Sequence, residues 1–294
     1  MMDISDRKFG IALLAPALLF VGLLFVYPIV YSLYMSFHEK DPFSTEAAPY
    51  VALDNFQTLM EEEAFWTAFK NGLIFSFSTV LLQLIFGVSI ALLLNRKFPG
   101  RAVARGFVLL PYVIPAIGAA LIWQWMYNDL LGIINRVFIA LGIIDQSIAW
   151  IGDPEWAMIG VIVVAVWKMF PFVIICVLAR LQTIPEELYD AARVDGANAF
   201  NRFKDITIPQ LRHILFVVIL LRFVWMFNDF EMIWLLTKGG PVDTTTTLPI
   251  FTYLTSFKNF ELSLGMATTI LMMFFLIIVA IIFFKIYKVD EEIS

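Results

Sequence analysis

Four ionisable side chains stand inside long apolar stretches of this chain: Lys168, Arg222, Asp229 and Glu231. Charge within a hydrocarbon layer is costly, so such groups mark either a pairing that ties helices together or a route for a polar solute or ion. Arg222 and Asp229 are seven residues apart and fall on one helical face. A Lys168–Asp229 pair is the structural account of these charges, and a hydrated path is the functional one. Beside them Trp225, Phe227, Asn228, Asp229, Phe230 and Glu231 place flat aromatic faces next to amide and carboxylate groups. Covalent and metal chemistry have little to work with. The two histidines, His38 and His213, fall near opposite membrane faces in the topology derived below, so they cannot share a metal or a triad. Cys176 is the only cysteine, lies in an apolar run and reads as packing. No phosphate-binding loop, Gly-x-Gly-x-x-Gly fingerprint or His-Glu-x-x-His motif occurs, so neither an ATP site nor any cofactor is expected on this chain.

The elements that position these groups follow from composition. Of the 294 residues 61% are hydrophobic and 15% charged, and the mean hydropathy is +0.84. An ordinary soluble domain is nearer half apolar and a quarter charged. The chain reads as an all-α, multi-pass membrane protein, one transmembrane domain over residues 1–294. A span needs about 20 apolar residues. Six segments qualify, at about 10–37, 68–95, 104–127, 157–180, 211–236 and 263–287. The first is longer than a signal-peptide core and lacks a small-x-small cleavage site, so it is expected to be retained. Pro16, Pro28, Pro111 and Pro115 are expected to kink the first and third spans. The pieces placed inside by an N-in topology carry Arg7, Lys8, Arg96, Lys97, Arg101, Arg105, Arg180, Arg193, Arg202, Lys204, Arg212, Lys285 and Lys288. The outer pieces carry only Lys40, Lys70, Arg136, Lys238 and Lys258. This bias sets both termini in the cytoplasm. The greasy stretch Leu130–Ile144 is broken by Arg136 and is expected as a short helix at the outer interface, with Trp150 and Trp156 at headgroup level. Trp123, Trp125 and Tyr127 suit an outer aromatic belt better than a binding role.

One charged, helix-prone island interrupts the apolar runs, residues 183–209. Thr183, Pro185 and Glu186 fit a capping box, with Thr183 as N-cap. The helix is expected to run to about Asp195 and to end at Gly196. Leu188, Ala191, Ala192 and Asp195 share one face. A second short helix, about 198–206, carries Phe200, Phe203 and Ile206 on one side, and Pro209 precedes the next span. Periodicity alone leaves two readings: an amphipathic loop resting on the bilayer, or a small face presented to a partner.

The spacing within the island is more specific. Asp190-Ala191-Ala192, three residues, Gly196, nine residues, then Ile206-Thr207-Ile208-Pro209 resembles the motif E-A-A-x3-G-x9-I-x-L-P of binding-protein-dependent ABC importer permeases. Asp190 stands for Glu and Ile208 for Leu, both conservative. Leu236 to Pro241 with its Gly239-Gly240-Pro241 turn, Thr244 to Leu248, Tyr253, Phe257 and Gly265 to Ala267 resemble the outer loop of carbohydrate-importer permeases of the maltose and glycerol-3-phosphate type. Trp167 to Pro171 and Leu178 to Pro185 fit as well, so the likeness spans about residues 10–288.

The resemblance implies an inner-membrane permease subunit that moves a sugar into the cytoplasm by alternating access. It implies a second homologous permease, two ATP-binding subunits that hold ATP and Mg²⁺, an extracytoplasmic sugar-binding protein and surrounding membrane lipid. No nucleic acid and no catalytic residue on this chain are implied. Glu187, Asp190, Ala191, Ala192, Arg193, Asp195 and Gly196 become the coupling surface. Trp225, Asn228, Asp229, Phe230 and Glu231 become the substrate path, Asn228 and Asp229 foremost. The rival reading is a secondary transporter driven by an ion gradient, with Lys168, Arg222, Asp229 and Glu231 as its relay. A membrane scaffold with no substrate is a third.

Overall fold

A computed structural model describes the backbone of residues 4–40, 43 and 47–293, and the side chains of 11, 13–40, 43 and 47–287. Arg7, Lys8 and Lys288, which enter the charge count, lie outside the described side chains. Helices follow one another in the order α1 (Ile4–Val21), α2 (Tyr27–Met35), α3 (Asp54–Glu61), α4 (Glu63–Asn95), α5 (Arg101–Val113), α6 (Ala116–Met126) and α7 (Ile133–Ala140). The second half holds α8 (Ala157–Leu181), α9 (Glu186–Val194), α10 (Ala199–Arg202), α11 (Ile208–Phe227), α12 (Glu231–Leu236), α13 (Leu248–Tyr253) and α14 (Leu262–Ile293). Among the described residues the only β pairing is an isolated bridge, His38 to Tyr50.

Five helical runs are long and apolar enough to cross a membrane: Leu13–Met35, Glu63–Asn95, Ala157–Leu181, Ala199–Phe227 and Leu262–Tyr287. The sixth expected span is a bent pair, α5 and α6, which meet at 96°. Kinking at proline was expected there; the structure has a complete break. Ile114 and Pro115 are extended (ψ 129 and 145), and Pro115 has no N–H with which to continue the α5 ladder. Two wider π turns also precede prolines. The ring of a helical proline clashes with the carbonyl four residues earlier. For Pro28 and Pro209 that residue is Leu24 or Asp205, inside the π turns Gly22–Val26 and Phe203–Thr207.

The chain forms two compact units. One comprises residues 1–66 and 251–277. Within it, Asn55 Nδ2 donates to the carbonyls of Ser36 and His38 at 2.9 and 3.0 Å, tying α3 to the end of α2. The apolar run Leu13–Met35 has none of its 18-residue window buried by the rest of the chain. The other unit comprises residues 67–250 and 278–294. Its centre is α8, with 61% of its apolar window buried, against 33% for the α4 and α11 runs. Ala91 and Leu94 of α4, Val173, Ile174, Val177 and Leu181 of α8, and Leu211 and Val218 of α11 make one packed core. Burial of such side chains contributes about 1.5–3 kcal/mol each in water, whereas in lipid packing itself holds the helices together.

Candidate functional site

Two features of the larger unit concern function: the interrupted helices around α8 and the helical hook at 183–209. Lys168 is 6% exposed on α8 and donates to the Ile114 carbonyl at 2.5 Å. Ile114 is the C-cap of α5, and the last carbonyls of a helix lack intrahelical donors, so the ammonium satisfies one of them at the break. Arg222, 1% exposed on α11, donates through Nε to Gln83 Oε1 of α4 at 2.8 Å. Gln83 Nε2 in turn donates to the Ala165 carbonyl of α8 at 3.2 Å. The Arg222 guanidinium also lies 5.8 and 5.5 Å from the ring centres of Phe172 and Trp225.

The expected Lys168–Asp229 pair does not form. Among the described residues the ion pairs are Lys97–Glu186 and Arg193–Asp190, and neither involves Lys168 or Arg222. Both buried cations are held by neutral acceptors instead. Among the described residues no direct contact between these cations and a carboxylate supports the ion-driven reading.

The fifth span, expected to reach residue 236, ends at Phe227. Asn228, Asp229 and Phe230 form a second interruption before α12. Asn228 Nδ2 turns back to the Val224 carbonyl at 2.8 Å, while Asp229 Oδ1, one residue before the N-cap Phe230, accepts from the Met232 N–H in the first turn of α12 at 3.1 Å. Phe230 stacks on Trp234 with ring centres 5.3 Å apart. Trp225 is 45% exposed and lies against Phe172. Glu231 opens α12 as an exposed side chain. The two interruptions are linked: Gln124 Nε2 of α6 donates to the Leu235 carbonyl of α12 at 2.8 Å. Both α6 and α12 pack on α8. Gln83 and Gln124 were missed in the sequence. Their signal was present, since each is an amide inside an apolar span and must find partners there.

Other expectations change. Trp125 is 84% exposed and suits the aromatic belt, but Trp123 and Tyr127 are buried, with Tyr127 Oη donating to the Gly160 carbonyl at 3.0 Å. Trp150 is 7% exposed rather than at a headgroup boundary; it stacks on Tyr127 and donates Nε1–H to Asn135 Oδ1 at 2.9 Å. Trp156 packs edge-on against it. These rings form a core under α7, because an amide on α7 supplies the buried indole with an acceptor. The loop after α12 is self-bonded through Thr246 Oγ1 to the Gly239 carbonyl at 3.0 Å and Thr245 Oγ1 to the Gly240 carbonyl at 2.8 Å. Gly239 has φ +91, and a Cβ there would stand 2.6 Å from Thr246 Oγ1.

The hook is ordered from within. Thr183 is not the N-cap; its hydroxyl donates to the Arg180 carbonyl and finishes α8. Pro185 takes the cap position, and Glu186 and Glu187 fill the first turn of α9 with Arg193 in the last, a charge order that complements the helix dipole. The end is a Schellman pair: Ala197 N–H to the Ala192 carbonyl at 2.8 Å and Gly196 N–H to that of Arg193 at 3.1 Å. Gly196 has φ +81, the left-handed geometry this closure requires. Tyr189 Oη lies 3.0 Å from Thr207 Oγ1 and joins α9 to the π turn. The expected separate helix at 198–206 is absent as such. Asn198 caps Asn201 N–H, and α10, the π turn and α11 continue as one run, Ala199–Phe227. The outward face of the hook holds Leu188 (42% exposed), Ala191, Val194 (88%) and Phe200 (68%), with Glu187, Asp190, Arg193 and Asp195 also exposed. Ala192 is half-buried. Val194, outside the recognised spacing, was not singled out.

Residues 83–288 match the family model described as binding-protein-dependent transport system inner membrane component. The chain is 34% identical over 282 residues to the trehalose/maltose transport system permease protein MalF of Thermococcus litoralis, covering 96% of this chain and 94% of that one. It is 31% identical over 290 residues to the sulfoquinovosyl glycerol transport system permease protein SmoG of Agrobacterium fabrum, covering 99% and 94%. In fold it is similar to a chain of a bacterial ABC transporter involved in the import of the acidic polysaccharide alginate, with TM-score 0.83, 24% identity, and 99% and 98% coverage.

Proposed function

This chain belongs to the family of binding-protein-dependent transport system inner membrane components, and on that premise we propose that it is the permease subunit of an ATP-driven carbohydrate importer in the cell membrane. The observation that carries this reading is the pair of interrupted helices joined through Gln124 and packed on α8. Irregular backbone at membrane depth is tolerated where protein encloses it or where it lines a hydrated route. The second interruption brings Trp225, Asn228, Asp229, Phe230 and Glu231 to one place in the chain, aromatic faces beside polar groups that suit a sugar's C–H patches and hydroxyls. Two relatives named for trehalose/maltose and for sulfoquinovosyl glycerol support the carbohydrate class.

The hook is the coupling element. Leu188, Ala191 and Val194 offer a small apolar surface, and Glu187, Asp190, Arg193 and Asp195 provide charges that can pair across an interface. ATP and Mg²⁺ belong to two partner ATP-binding subunits, and this chain adds no catalytic group. A second permease and an extracytoplasmic binding protein complete the machine. Closure of the ATPase pair shifts the docked hook, the spans rock, and the route opens alternately to either side.

The test is a reconstituted complex carrying Ala191→Trp or Asn228→Ala. Ala191→Trp enlarges an exposed docking residue, so sugar-stimulated ATPase activity should fall at least about tenfold, equivalent to about 1.4 kcal/mol of interface energy. Asn228→Ala should slow uptake while the ATP-binding subunits still co-purify. Unaltered stimulation in the first variant would remove the hook from coupling, and unaltered uptake in the second would remove Asn228 from the route.

A further inference from the structure

Arg180 lies half-buried in the last turn of α8, where the chain leaves for the hook. Its guanidinium makes three bonds. Nε donates to the Gln210 carbonyl at 2.9 Å, Nη2 to Gln210 Oε1 at 2.9 Å, and Nη1 to Thr183 Oγ1 at 3.1 Å. Thr183 returns its hydroxyl proton to the Arg180 carbonyl at 2.9 Å. Gln210 lies in the first turn of α11, where the chain comes back from the hook. One side chain therefore gathers the end of α8, the first residue of the hook and the start of α11. It closes the hook into a ring whose ends are 30 residues apart in sequence.

This contact differs in kind from the packing around it. There α8 and α11 meet through Ile174, Val177, Leu181, Leu211 and Val218. Apolar contacts carry no direction, so they hold two helices together and still let one slide or turn against the other. A planar guanidinium with two donors on one residue fixes distance and orientation at once. Arg180 and Gln210 are both half-buried, so salt screens their bonds less than those of a surface pair. The two ends of the hook are also unequal. From α9 the chain enters α11 along the continuous helical run Ala199–Phe227, with Tyr189 tied to Thr207 on the way. Toward α8 the backbone is the non-helical turn at residues 182–185. A push on α9 thus reaches α11 along a helix, and the directional link to α8 is Arg180.

We propose that Arg180 is a positioning residue for transport, which makes α8 follow α11 when α9 is pushed. The proposal rests on the reading of the hook as the coupling element. Arg180 touches neither sugar nor ATP. Its effect is that the two interruptions respond together. Lys168 of α8 holds the break between α5 and α6, and α11 leads directly into Asn228, Asp229 and Phe230.

The experiment is hydrogen exchange by mass spectrometry on the complete importer complex, nucleotide-free and trapped with ATP and orthovanadate. In the unaltered protein, trapping should change exchange both at residues 114–118 and at residues 228–230. Arg180→Met keeps an apolar stem and removes the fork. The change at 114–118 should then shrink about threefold or more, as expected for losing charge-assisted hydrogen bonds, while the change at 228–230 persists. Lys168 is about 18 Å along α8 from Arg180, so fraying of the substituted turn does not reach the break. Gln210→Ala removes one acceptor and should give a smaller effect in the same direction. Gln210→Glu keeps that acceptor and should match the unaltered protein. An undiminished response at 114–118 in Arg180→Met overturns the proposal. Equal behaviour of Gln210→Ala and Gln210→Glu also overturns it, and that comparison decides alone where Arg180→Met does not assemble. Loss of the response at both places in Arg180→Met assigns the residue to docking of the hook and overturns it too. Absence of any response in the unaltered complex removes the coupling reading and the proposal with it. The two failures are distinct, because the proposal's own failure leaves the unaltered complex responding.

Discussion

Lys168 and Arg222 show how a membrane-embedded cation can be accommodated without a direct ion pair. Each meets an oxygen that the fold has left needing a donor: the Ile114 carbonyl at a helix break and the Gln83 amide in a neighbouring span. Lys168→Met leaves the Ile114 carbonyl without its donor. The purified complex should lose about 1 kcal/mol of stability in thermal unfolding, and Lys168→Arg, which keeps a donor, should lose less. Equal losses from both would assign the effect to packing. Glu62 in the smaller unit offers a pH test. Burial, and then the facing Glu261 carboxylate, hold its pKa above the ordinary value. The folded state therefore keeps the proton more tightly than the unfolded chain. Stability falls as pH rises from the unfolded carboxyl pKa through the raised native one, and remains lower beyond it. Glu62→Gln should flatten that part of the profile and raise the unfolding midpoint at neutral pH, as read by differential scanning fluorimetry at several pH values.

At the scale of elements, the hook depends on its closure more than on its propensity. A β-carbon at residue 196, with φ +81, costs about 1 kcal/mol. Gly196→Ala should accordingly lower the hydrogen-exchange protection of the Ala197 amide about fivefold while the spans keep theirs. This closure was legible in the sequence, because a helix-ending glycine after an acidic and alanine-rich turn has few other uses. The start was not. Thr183 has the right type and spacing for a cap, but the Arg180 carbonyl at the end of α8 is nearer, and Pro185 needs no hydroxyl to begin a helix. The continuous run Ala199–Phe227 was also concealed. Pro209 signals a boundary by its ring clash, and the π turn Phe203–Thr207 absorbs that clash without ending the helix. The break at Pro115 went the other way: the same residue type sits at a 96° turn, where Ile114 and Pro115 are extended and Lys168 donates to the Ile114 carbonyl. Proline position was readable from sequence, and its consequence depended on residues far along the chain.

For the molecule as a whole, hydropathy was enough to find the long apolar runs, since burial in lipid depends on composition more than on particular contacts, but not the bend within the third or the earlier end of the fifth. The proposed route was legible only in part. Asn228, Asp229 and Glu231 stood out as polar groups in an apolar run, whereas Gln83 and Gln124 reveal their role only once α4, α6, α8 and α12 are side by side. The run from Ala199 to Phe227 has a further consequence in mechanical terms. Its 29 residues extend about 43 Å as a helix, with the hook at one end and the Asn228–Phe230 interruption at the other. It is a lever. A tilt of about 5° about one end displaces the other by about 4 Å, roughly three-quarters of a helical turn's rise, so on the proposed coupling a push on α9 too small to unfold anything arrives at Asn228 as a movement comparable to the width of a water molecule or more.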